Sequence, residues 1–349
     1  MSAIKQLGKM IGAAIVAVII LSLIIFIYNT SPLRVKNPQG NTDYVWKPDS
    51  LWSNMSEGVS FGKMDGNGFN NLEMIDNPDI ILLGSSHIES KNVNQNENTS
   101  YYLAESFDNK YTVYNMGMSG HTIYKVCYYL PETLSLFQDH APKYVIIETD
   151  NVSLTQESVD DVLNHSIEKA PVYDSGIIVS MQKIPVFRQI YNQLDSGMTE
   201  MLLPEFSNTK SAQDQTEIIE KSTNNEETMN GSDKQDFPQY DQLMSYLEEL
   251  QEQYNTKIII MFHPYECLNE DGSISFTNND NADAFDSYAK KHNITFLNMA
   301  DRFEKMYNEE HHAPHGFITG EIAASAHLNK YGHKAIADGL YDTITGLEG

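Results

Sequence analysis

The chain has 349 residues, of which 41% are hydrophobic, and this is enough for at least one packed domain. Acidic residues number 48 against 23 basic ones, which gives a formal net charge of −25. Because this charge repels nucleic acid and no basic stripe offsets it, we exclude a nucleic-acid partner. The two cysteines, Cys127 and Cys267, are too few for a disulfide framework and lack the short spacing of a zinc site.

An apolar run near the N-terminus is long enough to cross a membrane. Residues 10–28 are apolar or small apart from Ser22, and at ~1.5 Å per residue such a helix spans a hydrocarbon layer of ~30 Å. Lys5 and Lys9 precede the run and favour a cytoplasmic N-terminus. A cleaved signal peptide would have a shorter run and a small-x-small site. We therefore expect a cytoplasmic segment at 1–9, an uncleaved single-pass anchor at 10–28 and an extracytoplasmic main domain at the cell membrane.

The next segment, residues 29–75, is predicted to be a juxtamembrane stalk. Most of it is rich in Asn, Pro, Gly and Ser. Trp46 and Trp52 could lie at the membrane surface or pack onto the domain that follows.

From residue 76 to 349, short apolar runs alternate with helical patterns. Strands alternating with helices predict a parallel sheet that is covered on both faces, and in such sheets ligands bind at the carboxyl ends of the strands. The five predicted strands are 79–83, 111–115, 143–148, 257–262 and 294–298. The three clearest helices are 240–254, 282–292 and 330–341.

One segment, residues 153–238, interrupts this alternation. Its first part carries apolar residues and is predicted to form a helical insertion over the rim of the site. Residues 207–236 are polar throughout and cannot bury enough apolar surface to offset their ordering entropy, so we expect them to be disordered.

Polar residues follow several predicted strands at the edge where a ligand would bind. Ser86 follows Gly84 in a strand-to-helix turn, which would present its hydroxyl at the carboxyl edge. Gly117 follows the second strand, and Asn151 follows the third. His327 precedes the last helix, where a neutral imidazole could take a proton from a serine as a general base.

In this order, the residues resemble the conserved blocks of the SGNH, or GDSL-like, hydrolase superfamily. Gly84-Ser85-Ser86 resembles the first block, with Ser86 in the place of the nucleophile and Ser85 in the place of the usual Asp. Asn115-Met116-Gly117 resembles the second block, and residues 148–151 occupy the place of the third. His327-Leu328-Asn329, followed by Gly332, is similar to the block that carries the catalytic histidine.

This resemblance implies a three-layer α/β/α flavodoxin-like fold with a parallel sheet of about five strands. It also implies catalysis by Ser86 and His327. The oxyanion hole would consist of the backbone N–H groups of Ser86 and Gly117 together with the Asn151 side chain.

Two departures from the family pattern leave alternatives open. The family has Asp three residues before its histidine, and this chain has Ala324 there. Either Glu321, Asp301 or Asp150 replaces that acid, or Ser86 and His327 act as a dyad. In the third block, Asp150 competes with Asn151 for the place of the oxyanion donor.

The other histidines permit two interpretations. His87 and His263 lie beside the predicted edge and are candidates for substrate binding, although His263 could instead be a satisfied hydrogen-bonding residue. His311, His312 and His315 are interpreted as part of a polar loop, because no second ligand group has matching spacing. We expect no metal and no cofactor.

The Gly-Ser-Ser form is similar to that of D-alanyl transfer proteins and other envelope acyl-transfer members, including alginate acetylation proteins. The resemblance therefore implies an O-acyltransferase or esterase that acts on an acylated cell-surface glycan or acyl donor, in some members beside a membrane-bound O-acyltransferase. The alternative is a catalytically degenerate domain that binds glycan or scaffolds an acylation complex. A plain flavodoxin-like binding domain would leave the ordered strand-end residues unexplained.

Overall fold

The computed structural model describes residues 3–55, 57–167, 184, 186–187, 236–276, 281–317 and 327–349. Most of the insertion predicted for 153–238 lies outside these residues, including 207–235 of its predicted disordered part, as do Glu321 and Ala324. Helix α1 (Ala3–Tyr28) contains the predicted anchor, and its stretch Lys5–Ile25 is long and apolar enough to cross a membrane, with a mean hydropathy of 2.5. The topology of this helix in a membrane stays a prediction.

Residues 29–75 are not a detached stalk. They form five short strands that pair in two small antiparallel sheets. The strands are β1 (Asn29–Thr30), β2 (Arg34–Lys36), β3 (Tyr44–Trp46), β4 (Leu51–Asn54) and β5 (Ser60–Lys63). Trp46, Trp52 and Phe69 are buried in the same apolar cluster as the main sheet. This corrects the stalk prediction: the Asn, Gly and Pro content reflects turns between short strands, while the interspersed aromatic residues pack onto the domain.

The central sheet has five parallel strands in the order β7-β6-β8-β9-β12. Their bounds are β6 (Ile80–Leu83), β7 (Val113–Asn115), β8 (Tyr144–Thr149), β9 (Lys257–Phe262) and β12 (Thr295–Asn298). In chain order this is the 2-1-3-4-5 arrangement of flavodoxin-like sheets, so the predicted fold class is confirmed. A small hairpin of β10 (Glu266–Leu268) and β11 (Ile274–Phe276) follows β9.

Helices cover both faces of this sheet, because side chains alternate along each buried strand. Ile81 and Ile147 belong to one apolar cluster, and Ile80 and Ile146 belong to the other. The first cluster is covered by α4 (Ile123–Ser135), α5 (Gln156–Leu163), α6 (Pro238–Tyr254) and α7 (Ala282–Lys291). The second is covered by α3 (Thr99–Ser106), α8 (Ala300–Glu310) and α9 (Lys330–Glu348). The short helix α2 (Ser86–Glu89) and a 3-10 turn (Gln95–Glu97) follow β6.

The N-terminal segment also protects the open edge of the sheet. Asn71 donates through Nδ2 to the Asn115 carbonyl at 2.9 Å and accepts the Asn115 N–H at 2.9 Å. The Tyr114 hydroxyl donates to Asp65 Oδ2 at 2.8 Å. An edge strand presents unpaired backbone groups that invite aggregation, and here the Asn71 side chain occupies those of Asn115 at the end of β7.

Candidate active site

Ser86 is presented by the tight turn that joins β6 to α2. Gly84 is required in this turn, because a Cβ there would lie 2.2 Å from Glu148 Oε2. That carboxylate accepts the Ser85 N–H at 2.6 Å and fixes the turn. The Ser85 hydroxyl then accepts the His87 N–H at 3.2 Å as the cap of α2. Ser86 is therefore the first helical residue, at the carboxyl edge of the sheet.

His327 lies against this serine, although 241 positions separate the two residues. Its Nε2 is 2.9 Å from Ser86 Oγ, which is within reach for proton transfer. Asn329, two residues later, caps α9 by accepting the N–H groups of Tyr331 and Gly332. The structure thus brings together the two side chains that the sequence pairs.

The acid behind the imidazole is Glu57, which lies in the N-terminal segment between β4 and β5. Glu57 Oε2 hydrogen-bonds to His327 Nδ1, and Asn92 donates to the same oxygen through Nδ2 at 2.7 Å. The hydrogen bond with His327 lowers the pKa of the Glu57 carboxyl, against the opposing effect of burial. An ionised carboxylate at Nδ1 fixes the tautomer that leaves Nε2 free to accept the serine proton.

None of the acids proposed from the sequence takes this place among the described residues. Asp301 lies exposed on α8. Asp150 hydrogen-bonds to Tyr265, and burial followed by the nearby Glu148 raises the pKa of its carboxyl. Glu321 lies outside the described residues. Sequence reasoning missed Glu57 because 270 positions separate it from His327 and its segment resembled a linker.

The Ser86–His327–Glu57 relay is accessible from solvent. The side chains of His327 and Glu57 keep 30% and 34% of their surface exposed. A cavity of about 760 Å³ lies beside them, and Asn92, which holds Glu57, forms part of its wall. The rest of its lining includes the aromatic side chains of Tyr307, Phe317 and Tyr331. The imidazole and the carboxylate are therefore open to solvent, and the cavity adjoins them through Asn92.

The structure gives the predicted oxyanion donors different environments. The Gly117 N–H is already donated to Asn115 Oδ1 at 2.9 Å, so Gly117 would have to break that bond to bind an oxyanion. Asn151 Oδ1 accepts the Ser153 N–H at 2.7 Å, which leaves its Nδ2 as the donating end.

The structure supports the second interpretation of His263, a satisfied hydrogen-bonding residue, and it buries His87 as well. His87 is 4% exposed and His263 is fully buried. His263 Nε2 lies 2.6 Å from Glu148 Oε1, and His87 Nε2 lies 2.7 Å from the Tyr265 hydroxyl. His263 therefore supports the site from beneath, through the Glu148 carboxylate that holds the Ser86 turn.

The three histidines of the predicted polar loop separate in the structure. His311 is exposed at the end of α8, and His312 stacks on Tyr331 with ring centroids 3.7 Å apart. His315 is buried and joins His87 and His263 in one cluster. Its partners come from distant positions, so the local spacing did not reveal this cluster.

Comparison with known proteins gives no family assignment. No family model matches the chain, and no curated protein matches it. Several solved structures are similar to this chain. One is the acetyl xylan esterase AlAXEase, which is 11% identical. The match covers 76% of this chain and 98% of that chain, with a TM-score of 0.39. A putative lipolytic protein of the G-D-S-L family from Desulfitobacterium hafniense is 14% identical (75% and 97% covered, TM-score 0.35). A catalytic mutant of the acetylxylan esterase Axe2 from Geobacillus stearothermophilus is 13% identical (78% and 95% covered, TM-score 0.41). We draw no functional conclusion from likenesses this low.

Proposed function

We propose that the chain is a serine-dependent O-acyl esterase or O-acyltransferase of the SGNH type. The observation that carries the proposal is the continuous relay from Ser86 Oγ through the His327 ring to Glu57. The relay lies at the carboxyl edge of a 2-1-3-4-5 sheet, where α/β folds bind their ligands. Its parts have the geometry and the order of roles that nucleophilic serine catalysis requires.

In the proposed reaction, Ser86 Oγ attacks the carbonyl carbon of an ester while His327 Nε2 takes the hydroxyl proton. Glu57 holds the imidazole through Nδ1 and stabilises the imidazolium that forms. Backbone N–H groups near Ser86 and the Asn151 amide would donate to the oxyanion of the tetrahedral intermediate. The intermediate then expels the alcohol, which receives the proton from His327, and leaves an acyl group on Ser86.

The second half of the reaction transfers that acyl group to an acceptor. Water as the acceptor makes the protein an esterase, and a sugar hydroxyl makes it a transferase. We propose an acylated cell-envelope glycopolymer as the substrate, with the domain held outside the cytoplasm by α1. The length and apolar character of α1 support this location. A membrane-bound O-acyltransferase as partner rests on the family resemblance alone.

The degenerate, non-catalytic alternative depended on the missing acid of the Asp-x-x-His pattern. Glu57 supplies a carboxylate at His327 Nδ1 from another part of the chain. A domain that only bound glycan would not require a hydroxyl, an imidazole and a carboxylate in hydrogen-bonded series. The relay therefore favours catalysis over scaffolding.

A fluorophosphonate probe tests the proposal, because it reacts with serine hydroxyls activated by a neighbouring base. We expect the probe to modify the wild-type chain on the peptide that contains Ser86, and the Ser86→Ala variant to remain unlabelled. The Ser119→Ala variant is the control, since Ser119 lies in the nearby loop and its hydroxyl hydrogen-bonds to Glu89. Equal labelling of the wild-type and Ser86→Ala proteins would refute the assignment.

A further inference from the structure

Three buried histidines meet beneath the Ser86 turn. His87 comes from α2, His263 follows β9, and His315 lies in the loop after α8; they are 4%, 0% and 1% exposed. One ring nitrogen of each histidine lies within 4.8 Å of a ring nitrogen of each of the other two. None of these three side chains has a part in the proposed acyl transfer.

Two of these rings are oriented by buried carboxylates. His263 Nε2 lies 2.6 Å from Glu148 Oε1, and His315 Nδ1 lies 2.5 Å from Glu266 Oε2. A carboxylate only accepts hydrogen bonds, so each of these nitrogens carries a proton. In a neutral imidazole the other nitrogen then has a lone pair. His263 Nδ1 and His315 Nε2 therefore turn lone pairs toward each other, 3.3 Å apart.

The charges around the pair are also unbalanced. Glu148 and Glu266 are 1% and 0% exposed, and among the described residues their only ion-pair partners are His263 and His315. Burying two carboxylates without compensating charge is costly. A divalent cation between the rings would offset both negative charges while each imidazole stays neutral.

We propose that His87, His263 and His315 bind a zinc ion. Tetrahedral zinc holds imidazole nitrogens at about 2.0–2.1 Å, which sets neighbouring nitrogens roughly 3.3 Å apart, and this is the separation of His263 Nδ1 and His315 Nε2. The two glutamates supply the carboxylate–histidine–metal arrangement that fixes ligand tautomers around protein-bound zinc. A site built from imidazoles favours zinc over calcium or magnesium, which prefer oxygen ligands.

His87 completes the site by exchanging one hydrogen bond for the metal. Its Nε2 faces the Tyr265 hydroxyl at 2.7 Å, and its Nδ1 accepts the Leu328 N–H over a long 3.3 Å. Both of these partners are neutral, so neither exchange strands a charge.

The ion would connect the two segments that carry the relay. His87 is the residue after Ser86, and His315 pairs through a β-bridge with Leu328, the residue after His327. We therefore assign the zinc a structural role, in which it fixes the distance between nucleophile and base without touching the substrate. The assignment does not depend on the acyl-transfer proposal.

Zinc content of the full-length chain in detergent tests the site. The protein is stripped with EDTA, loaded with excess Zn²⁺, desalted and measured by inductively coupled plasma mass spectrometry. We expect about one zinc per chain in the wild type and in the His311→Gln control, whose histidine is exposed. The variants His263→Gln and His315→Gln should each retain less than about a tenth of that amount.

Cobalt replaces zinc as an optical probe, so the test does not depend on the folding of the variants. Wild-type protein loaded with Co²⁺ should show the intense visible bands of tetrahedral coordination, and Zn²⁺ should raise its Tm by roughly 5 °C or more. A wild-type protein that binds no zinc after loading, shows no tetrahedral cobalt bands and keeps its Tm would overturn the proposal. The cluster would then hold a proton shared by the His263 and His315 rings. Since no readout uses ester hydrolysis, loss of the zinc site and loss of esterase activity are distinguishable.

Discussion

At the scale of single residues, Glu57 determines how well His327 can act as a base. It comes from the N-terminal segment, and Asn92 holds the same oxygen that binds the imidazole. The carboxylate keeps the proton on Nδ1, so that Nε2 presents its lone pair to Ser86. Without that charge, the ring can adopt the wrong tautomer and the imidazolium loses its counter-ion.

The Glu57→Gln variant should therefore retain its fold and lose activity. We expect kcat/KM for p-nitrophenyl acetate to fall by roughly 10²–10⁴, as expected when a triad acid becomes an amide. Asp49→Asn is the matched control, because Asp49 is an exposed carboxylate of the same segment and forms an ion pair with the exposed Lys63. An unchanged kcat/KM in Glu57→Gln would contradict this role of Glu57 and would show that Ser86 and His327 act as a dyad.

Gly117 shows how one glycine sets the position of α2. A Cβ at this residue would lie 2.5 Å from the Glu89 nitrogen and 2.6 Å from the Ile88 carbonyl carbon, both of them backbone atoms. The Gly117→Ala substitution should lower the free energy of unfolding by about 1–3 kcal/mol, because the backbone must move to make room. Gly346→Ala is the control, since nothing lies within 4 Å of the added carbon in α9. Equal urea midpoints for the two variants would contradict the close packing.

At the scale of elements, the N-terminal strands are part of the α/β domain. Trp46, Trp52 and Phe69 are buried in the main core, and Asn71 pairs with the edge strand β7. Burying each large apolar side chain contributes roughly 1.5–3 kcal/mol. The segment therefore contributes apolar surface, edge protection and the acid of the relay.

Two truncated chains test this role of the N-terminal segment. A chain that starts at residue 29 should unfold cooperatively on heating, because it keeps all five N-terminal strands. A chain that starts at residue 76 exposes the core beneath those strands, and it should show a Tm lower by more than about 10 °C or no transition at all. Circular dichroism follows both transitions. Matching cooperative curves would show that the segment is dispensable to the fold.

The sheet was predictable from sequence because its signal is local. The runs at 80–83, 144–147 and 258–262 are continuously apolar, as strands buried on both faces must be, and the structure places strands there. The turn at Ser86 and the histidine before α9 were likewise visible in short motifs. Glu57 and the histidine cluster were not, because they arise from contacts between residues far apart in the chain, and no short spacing encodes such contacts.

At the scale of the whole molecule, stability in acid depends on carboxylates that are buried and paired in the fold. Burial opposes ionisation of Asp43, but hydrogen bonds from Lys125 and Tyr129 outweigh it and lower the pKa of this carboxyl. A carboxyl whose pKa is lower in the folded state than in the unfolded chain stabilises the fold. This stabilisation is complete at pH values above the pKa that the group has in the unfolded chain. That stabilisation disappears as the pH falls through the folded pKa.

We therefore expect the free energy of unfolding to fall as the pH drops below about 4, and the Asp43→Asn variant to lose less stability over this range than the wild type. Asp338→Asn serves as the control, because Asp338 is exposed and pairs with Lys334 within one helix. Urea titrations between about pH 3 and pH 7 make the comparison. If the free energy of unfolding changed with pH in the same way for the wild type and Asp43→Asn, the pair with Lys125 would contribute nothing to acid sensitivity.

The most direct measurement of the central claim is the chemical identity of the acyl-enzyme. The wild-type protein is mixed with p-nitrophenyl acetate, quenched with acid at short times and digested for mass spectrometry. The account predicts one acetyl group on Ser86, formed at least as fast as turnover, and no acetylation or hydrolysis by Ser86→Ala. Acetylation of a different residue, or turnover by Ser86→Ala at the wild-type rate, would contradict it.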